Sequence, residues 1–198
     1  MGYTLSSVEI MACSICNAPN SFTGNCEIKS PGGNARKVYF AHACEIASYT
    51  LDAYNGKVES ITMEAGEVFR TMIANRLSIN TTQEHQEGNG STLQTVTLAL
   101  PNLSDNADLD DAAQEAINFI TDLRNSENPF VMLIEDNAGV MRVFGYVKAT
   151  GSSQGLEVAT SVSDSGTALA DSAITSITLT HGAPALAPVL DSTFTIPV

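Results

Sequence analysis

Two runs decide the fold: Thr92-Leu-Gln-Thr-Val-Thr-Leu-Ala-Leu-Pro101 and Pro129-Phe-Val-Met-Leu-Ile-Glu-Asp-Asn-Ala-Gly-Val-Met-Arg-Val-Phe-Gly-Tyr146. The first alternates β-favouring and polar residues and is stopped by proline, so it reads as a strand. The second opens on an apolar run, turns at Asp136-Asn-Ala-Gly139 and returns, which is a hairpin pattern with a well-buried first strand.

Residues 104–125 lie between them and carry the one convincing helix, with a core of about 105–125. Leu109, Ala112, Ala113, Ala116, Ile117, Ile120 and Leu123 recur at spacings of three and four and form one apolar stripe. Asp108, Asp110 and Asp111 fall in the first turn and Arg124 in the last, as the helix dipole favours. The three aspartates are read as this charge match rather than as a metal site. A lone amphipathic helix cannot bury its stripe alone, so it must lie against a sheet.

Upstream of this unit the signals are those of an antiparallel meander. Residues 36–45 read as a strand whose buried face draws on Val38, Phe40 and residues 41–44. Residues 46–55 read as irregular and end at the tight-turn pair Asn55-Gly56. Residues 57–63 alternate well, Glu64-Ala-Gly66 is a turn, and residues 67–73 and 76–84 continue as strands. Downstream, residues 155–162 and 174–180 are β-rich, with a polar loop at 163–172. In the last of these strands Ile174 faces one side, and Ile177 and Leu179 the other. Residues 1–30 form an N-terminal arm and 183–198 an extended C-terminal arm that could lie on a neighbour, around a β domain at 31–182. The fold class is mainly β: an antiparallel sandwich or small barrel with one flanking helix.

Charge is the strongest global fact. Twenty-two acids face nine bases, for a net charge of −13, and no Lys or Arg follows Lys148. A protein that grips nucleic acid needs bases on one face, and this chain lacks the supply. Charged residues are only 16% of the chain, which leaves much weakly polar surface suited to contacts between copies. No apolar run approaches membrane-spanning length, and the start has neither basic nor long apolar regions, so neither a span nor a signal peptide is expected.

Candidate chemistry is sparse. Cys13 and Cys16 form a C-x-x-C, followed by Cys26, His42 and Cys44. Structural zinc needs four such ligands, but a second tight cysteine pair is missing. Reduced thiols packed as small apolar residues are the default; zinc on Cys13, Cys16, Cys26 and Cys44 is the alternative. His42 and Cys44 would share a face if both lay on a strand. The three histidines, His42, His85 and His181, lie in no catalytic frame. No enzyme activity, metal or cofactor is expected.

The order of elements resembles tailed-phage tail tube proteins, with the closest likeness to tubes of phages of Bacteroidetes hosts. The likeness rests on the meander, the loop Glu87-Gly-Asn-Gly90, the strand ending at Pro101, the single helix, and Leu133-Ile-Glu-Asp-Asn-Ala-Gly-Val140 followed by Val143-Phe-Gly145. It covers about residues 36–182. The resemblance implies six copies closing a ring, with strands from each subunit continuing one lumen wall. It also implies rings stacked into a tube that holds a tape-measure protein and then conducts DNA. A sheath and a tail terminator are further partners of such tubes, and the location is the virion tail after synthesis in the host cytoplasm. Six copies at −13 each carry −78, which places many acids toward water. Glu59, Glu64, Glu67 and Glu84 are the lumen candidates; Asn55, Gly56, Gln86, Glu87 and Asn89 are candidates for contact with the next ring. Another virion component, such as a head decoration or tail terminator, and a bacterial β-sandwich binding module remain open alternatives.

Overall fold

The computed structural model describes residues 34–73, 79–88, 90–101, 107–147, 154–164 and 174–198. Ten strands and one α-helix occupy these residues: β1 Asn34–His42, β2 Ile46–Leu51, β3 Val58–Met63, β4 Arg70–Ile73, β5 Ile79–His85, β6 Thr92–Pro101, α1 Leu109–Asn125, β7 Phe130–Asp136, β8 Met141–Phe144, β9 Glu157–Asp164 and β10 Ile174–Ala183. All strand pairings are antiparallel. They form a central sheet ordered β4-β1-β7-β8, an outer sheet ordered β5-β6-β10-β9, and the two-stranded hairpin β2-β3. Among the described residues the sheets do not close into a barrel.

The central sheet is buried on both faces, which explains the near-continuous apolar run in β7. Val38, Phe40, Met132, Ile134 and Phe144 point to the outer sheet, where they meet Val96, Leu98, Ile177 and Leu179. Ala41, Val131, Leu133 and Val143 point the other way and meet Ile46, Val58, Ile61, Phe69 and Leu190. The result is three β layers with two apolar interiors. Each fully buried side chain of this size contributes about 1.5–3 kcal/mol. The outer sheet keeps one face toward solvent: in β10, Thr175, Ile177, Leu179, His181 and Ala183 are buried while the residues between them are not.

The helix begins at Leu109, the first residue of the apolar stripe, and not at residue 104 or 105 as expected. Asp108 caps it, its side chain accepting from the Asp110 N–H at 3.0 Å. The expected residues 104–106 and the side chain of Leu109 lie outside the described set. The expected stripe is also narrower: Ala112, Ala116 and Leu123 are buried, but Ile117 is 55% exposed. Phe119 stays near the rim and meets Phe40 edge-on at 6.2 Å. The helix therefore covers the margin of the sandwich, where only part of its apolar arc finds cover.

Other boundaries also move. Residues 46–51 form strand β2, because Ile46 anchors in the second interior and β3 supplies the backbone partners. Residues 67–69 leave the sheet, because the Phe69 N–H donates to the Pro197 carbonyl at 2.9 Å. β9 runs on to Asp164, which pairs with Ile174. Residues 189–198, expected as an arm, lie along their own chain. The Val58 N–H donates to Val189, the Asp191 N–H to Val58 and the Leu190 N–H to Met141, so this strap ties the hairpin to the β8 edge.

A tight junction links the central and outer sheets at one end. Phe130 and Leu156 exchange two backbone hydrogen bonds of 2.8 Å. Gly145 and Gly155 flank it: a side chain on Gly145 would strike the Phe130 carbonyl and Leu156, and one on Gly155 would meet that carbonyl at 2.9 Å. Gln94 completes the junction, accepting from the Gly145 N–H at 3.0 Å and donating to the Ala185 carbonyl at 3.2 Å.

Candidate functional site

The open face of the outer sheet carries two cross-strand rows. Thr82 on β5, Thr95 on β6 and Thr180 on β10 form the first, which ends at Glu157 on β9. Asn80, Thr97, Thr178 and Thr160 form the second in the same strand order. Thr97 and Thr178 bring their hydroxyls to 3.4 Å. Threonine suits this position because its branched Cβ favours the pleated backbone and its hydroxyl can face water. Strands in such a sheet lie about 4.8 Å apart, so the six threonines bring neutral hydroxyls close together across the sheet. The four strands contain no Lys or Arg. Glu84 and Glu157 stand exposed on its two edge strands.

The described bases lie elsewhere; Lys29, Arg76 and Lys148 fall outside the described residues. Lys37, Arg70 and Arg142 are on the central sheet, Lys57 leads into β3, and Arg124 is on the helix. Arg70 is held by Glu45 through contacts of 2.7 and 2.8 Å, and its Nη2 is 3.7 Å from Glu67. Burial pushes the Glu45 carboxyl up, but the Arg70 bond and the His42 N–H outweigh it, and the net shift is downward. With Arg70 about half exposed, the pair contributes about 1 kcal/mol or less. Lys37 rests over the Tyr39 ring at 4.6 Å.

The four glutamates singled out in the sequence do not share one layer. Glu59 and Glu64 are exposed on and just after β3, Glu67 is half-buried beside Arg70, and Glu84 alone belongs to the outer sheet. Asn55 and Gly56 are at the exposed tip of the β2–β3 hairpin, where Asp52 caps the turn by accepting from the Tyr54 N–H at 2.8 Å. Gln86 and Glu87 form the β5–β6 turn, closed by the Gln86 N–H bond to the Ser91 carbonyl at 2.8 Å. Asn89 lies outside the described residues. These two turns extend from different layers.

Cys44 is exposed in a short 3-10 turn spanning Ala43–Glu45. β1 ends at His42, so the strand alternation that would have aligned His42 with Cys44 stops there. The His42 ring instead stacks on Phe130 with centroids 4.7 Å apart. Cys13, Cys16 and Cys26 lie outside the described residues. Among the described residues no group of three or more metal-binding side chains gathers.

The approach of Ser126 to His42, 3.5 Å from Oγ to Nδ1, is the arrangement most like a nucleophile and base. The Ser126 hydroxyl donates to the Asn128 carbonyl at 3.0 Å, so its proton is aimed away from the ring. His181 is 8% exposed, and its Nε2 is buried without a partner. Burial lowers its pKa despite the Gly155 backbone bond and the Glu157 charge. Burial raises the Tyr49 hydroxyl, with Tyr146 adding to the effect. A cleft of about 330 Å³ between the β7–β8 turn and the strap is lined by Lys57, Glu135, Met141, Leu190, Asp191 and Phe194. It mixes one cation with two acids and has no convergent catalytic set.

The threonine face was not singled out from sequence. Its signal was present in the paired patterns Thr95-Val-Thr97 and Thr178-Leu-Thr180. Strand order was needed to join them. Comparison with family models, with curated proteins and with solved structures returns no match. Among the described residues no helix is long and apolar enough to cross a membrane.

Proposed function

We propose that the protein is the structural subunit of a tail tube, built as stacked hexameric rings through which DNA passes. The observation that carries this reading is the open outer sheet. Among the described residues, β5 and β9 have no strand partner on their outer sides. Exposed strand edges are templates for pairing, and closure of a ring removes them. Val162, 61% exposed on β9, adds apolar area at one edge. A neighbouring copy presenting its β5 edge would continue the sheet and repeat the contact head to tail.

The surface chemistry supports a structural role over a catalytic one. The described residues hold threonine rows, separated histidines and acids spread over several layers. The net charge of −13 keeps free subunits apart until apolar and backbone contacts outweigh repulsion. Light scattering and negative-stain microscopy test the reading. Hexameric rings or tubes at high protein concentration are expected. A strictly monomeric protein under those conditions overturns the proposal and favours the binding-module alternative.

A further inference from the structure

The two surfaces available to line a tube differ in chemistry. The hairpin side carries Lys57 among the exposed acids Glu59 and Glu64, and the tip residue Tyr54, which is 99% exposed. A phosphate that meets such a base releases counterions and gains affinity. The outer sheet offers a four-stranded β surface, with one register shift between β10 and β9, and no Lys or Arg on its strands. Its hydroxyls are neutral, and its edge carboxylates Glu84 and Glu157 repel phosphate at short range.

We propose that the threonine rows of the outer sheet, Thr82, Thr95, Thr97, Thr160, Thr178 and Thr180, form the wall past which DNA slides. This rests on the tail-tube reading and specifies which face of the subunit turns inward. Glu59, Glu64 and Glu67 then belong to the opposite, outward layers, and Glu84 is the one of the four that borders the lumen. Hydroxyls keep this wall hydrated, while its strands themselves carry no fixed cation to arrest a passing phosphate. The rows carry hydroxyls across the middle of the sheet, with Asn80 and Glu157 at their ends.

The test assembles tubes in the presence of a short fluorescent DNA duplex, then adds DNase, which is too large to enter a narrow lumen. Tubes of Thr97→Lys/Thr178→Lys are expected to retain nuclease-resistant duplex, about tenfold or more above wild type at low salt, and to release it as salt rises. Tubes of Glu59→Lys/Glu64→Lys are expected to bind duplex that the nuclease destroys. Circular dichroism checks folding, and Thr160→Lys, on the edge strand β9, serves if the central-strand pair does not fold. Nuclease-resistant retention by the Glu59/Glu64 variant but not by the threonine variants overturns the assignment and leaves the tube reading standing. Folded threonine variants that no longer assemble also overturn it, because the face would then lie in a subunit contact. Wild-type protein that forms neither rings nor tubes overturns the tube reading, and this assignment with it.

Discussion

At the residue scale, the junction between the sheets depends on groups that have no room to change. Gly145 has φ +75°, a region most side chains avoid, and its missing Cβ leaves space for the Phe130 carbonyl. Gly145→Ala is expected to lower stability by about 1–3 kcal/mol or more through backbone strain and the clash. Gly182→Ala is the control: nothing lies within 4 Å of its added methyl, so no loss is expected. Urea unfolding midpoints compare the two. His181, beside the same junction, predicts a pH dependence. Its folded pKa is depressed below the ordinary 6.5, so the unfolded chain binds the proton first as pH falls. The stability from keeping the ring neutral is therefore complete above about pH 6.5. It is lost as pH falls from there through the folded pKa, with a slope of at most about 1.4 kcal/mol per pH unit. His181→Leu is expected to flatten that portion of the stability profile in urea titrations across pH; an unchanged slope would assign it to other groups.

At the element scale, the strap of residues 188–198 and the helix α1 do different jobs. The strap closes the β8 edge through the Val143 N–H to Pro188 and Leu190 N–H to Met141 bonds, and buries Leu190 at 4% exposure. Leu190→Ala is expected to cost about 2–5 kcal/mol, because it opens a cavity between hairpin and central sheet. Thr195→Ala, exposed on the same strap, is expected to change stability by less than about 0.5 kcal/mol in the same denaturation series. The helix is anchored by fewer buried residues and by its cap. Asp108→Ala removes the acceptor for the Asp110 N–H and is expected to cost about 1 kcal/mol, read as a lower thermal midpoint.

At the scale of the whole molecule, the three layers divide the work. The central sheet supplies stability, buried on both sides. The hairpin layer projects Tyr54 into solvent next to Asn55 and Gly56, and the outer sheet keeps a hydroxylated face open. Tyr54→Ser is expected to leave monomer unfolding within about 0.5 kcal/mol of wild type while raising the concentration needed for assembly in light scattering. Equal assembly by both proteins would remove the hairpin tip from the subunit contacts.

By itself the sequence determined the mainly β class, the helix before a buried hairpin, and the turns at Asn55-Gly56 and Asp136-Asn-Ala-Gly139. Local chemistry decides these: periodicity, turn residues and charge at helix ends act within a few positions. The tertiary structure alone decided that 46–51 is a strand, that 67–69 leaves its sheet, and that the last residues strap their own chain. The last two depend on backbone partners distant in sequence, Phe69 on Pro197 and Val58 on Val189 and Asp191, and the first on the packing of Ile46 and pairing with β3. The candidate site follows the same division. Alternation in β6 and β10 carried the signal for Thr95, Thr97, Thr178 and Thr180, but they were not singled out from sequence. The β6–β10 register then set them side by side, and the strand order extended them to Thr82 and Thr160. Pairing energy is gained between segments about eighty residues apart, and no local pattern encodes which distant edge a strand will meet.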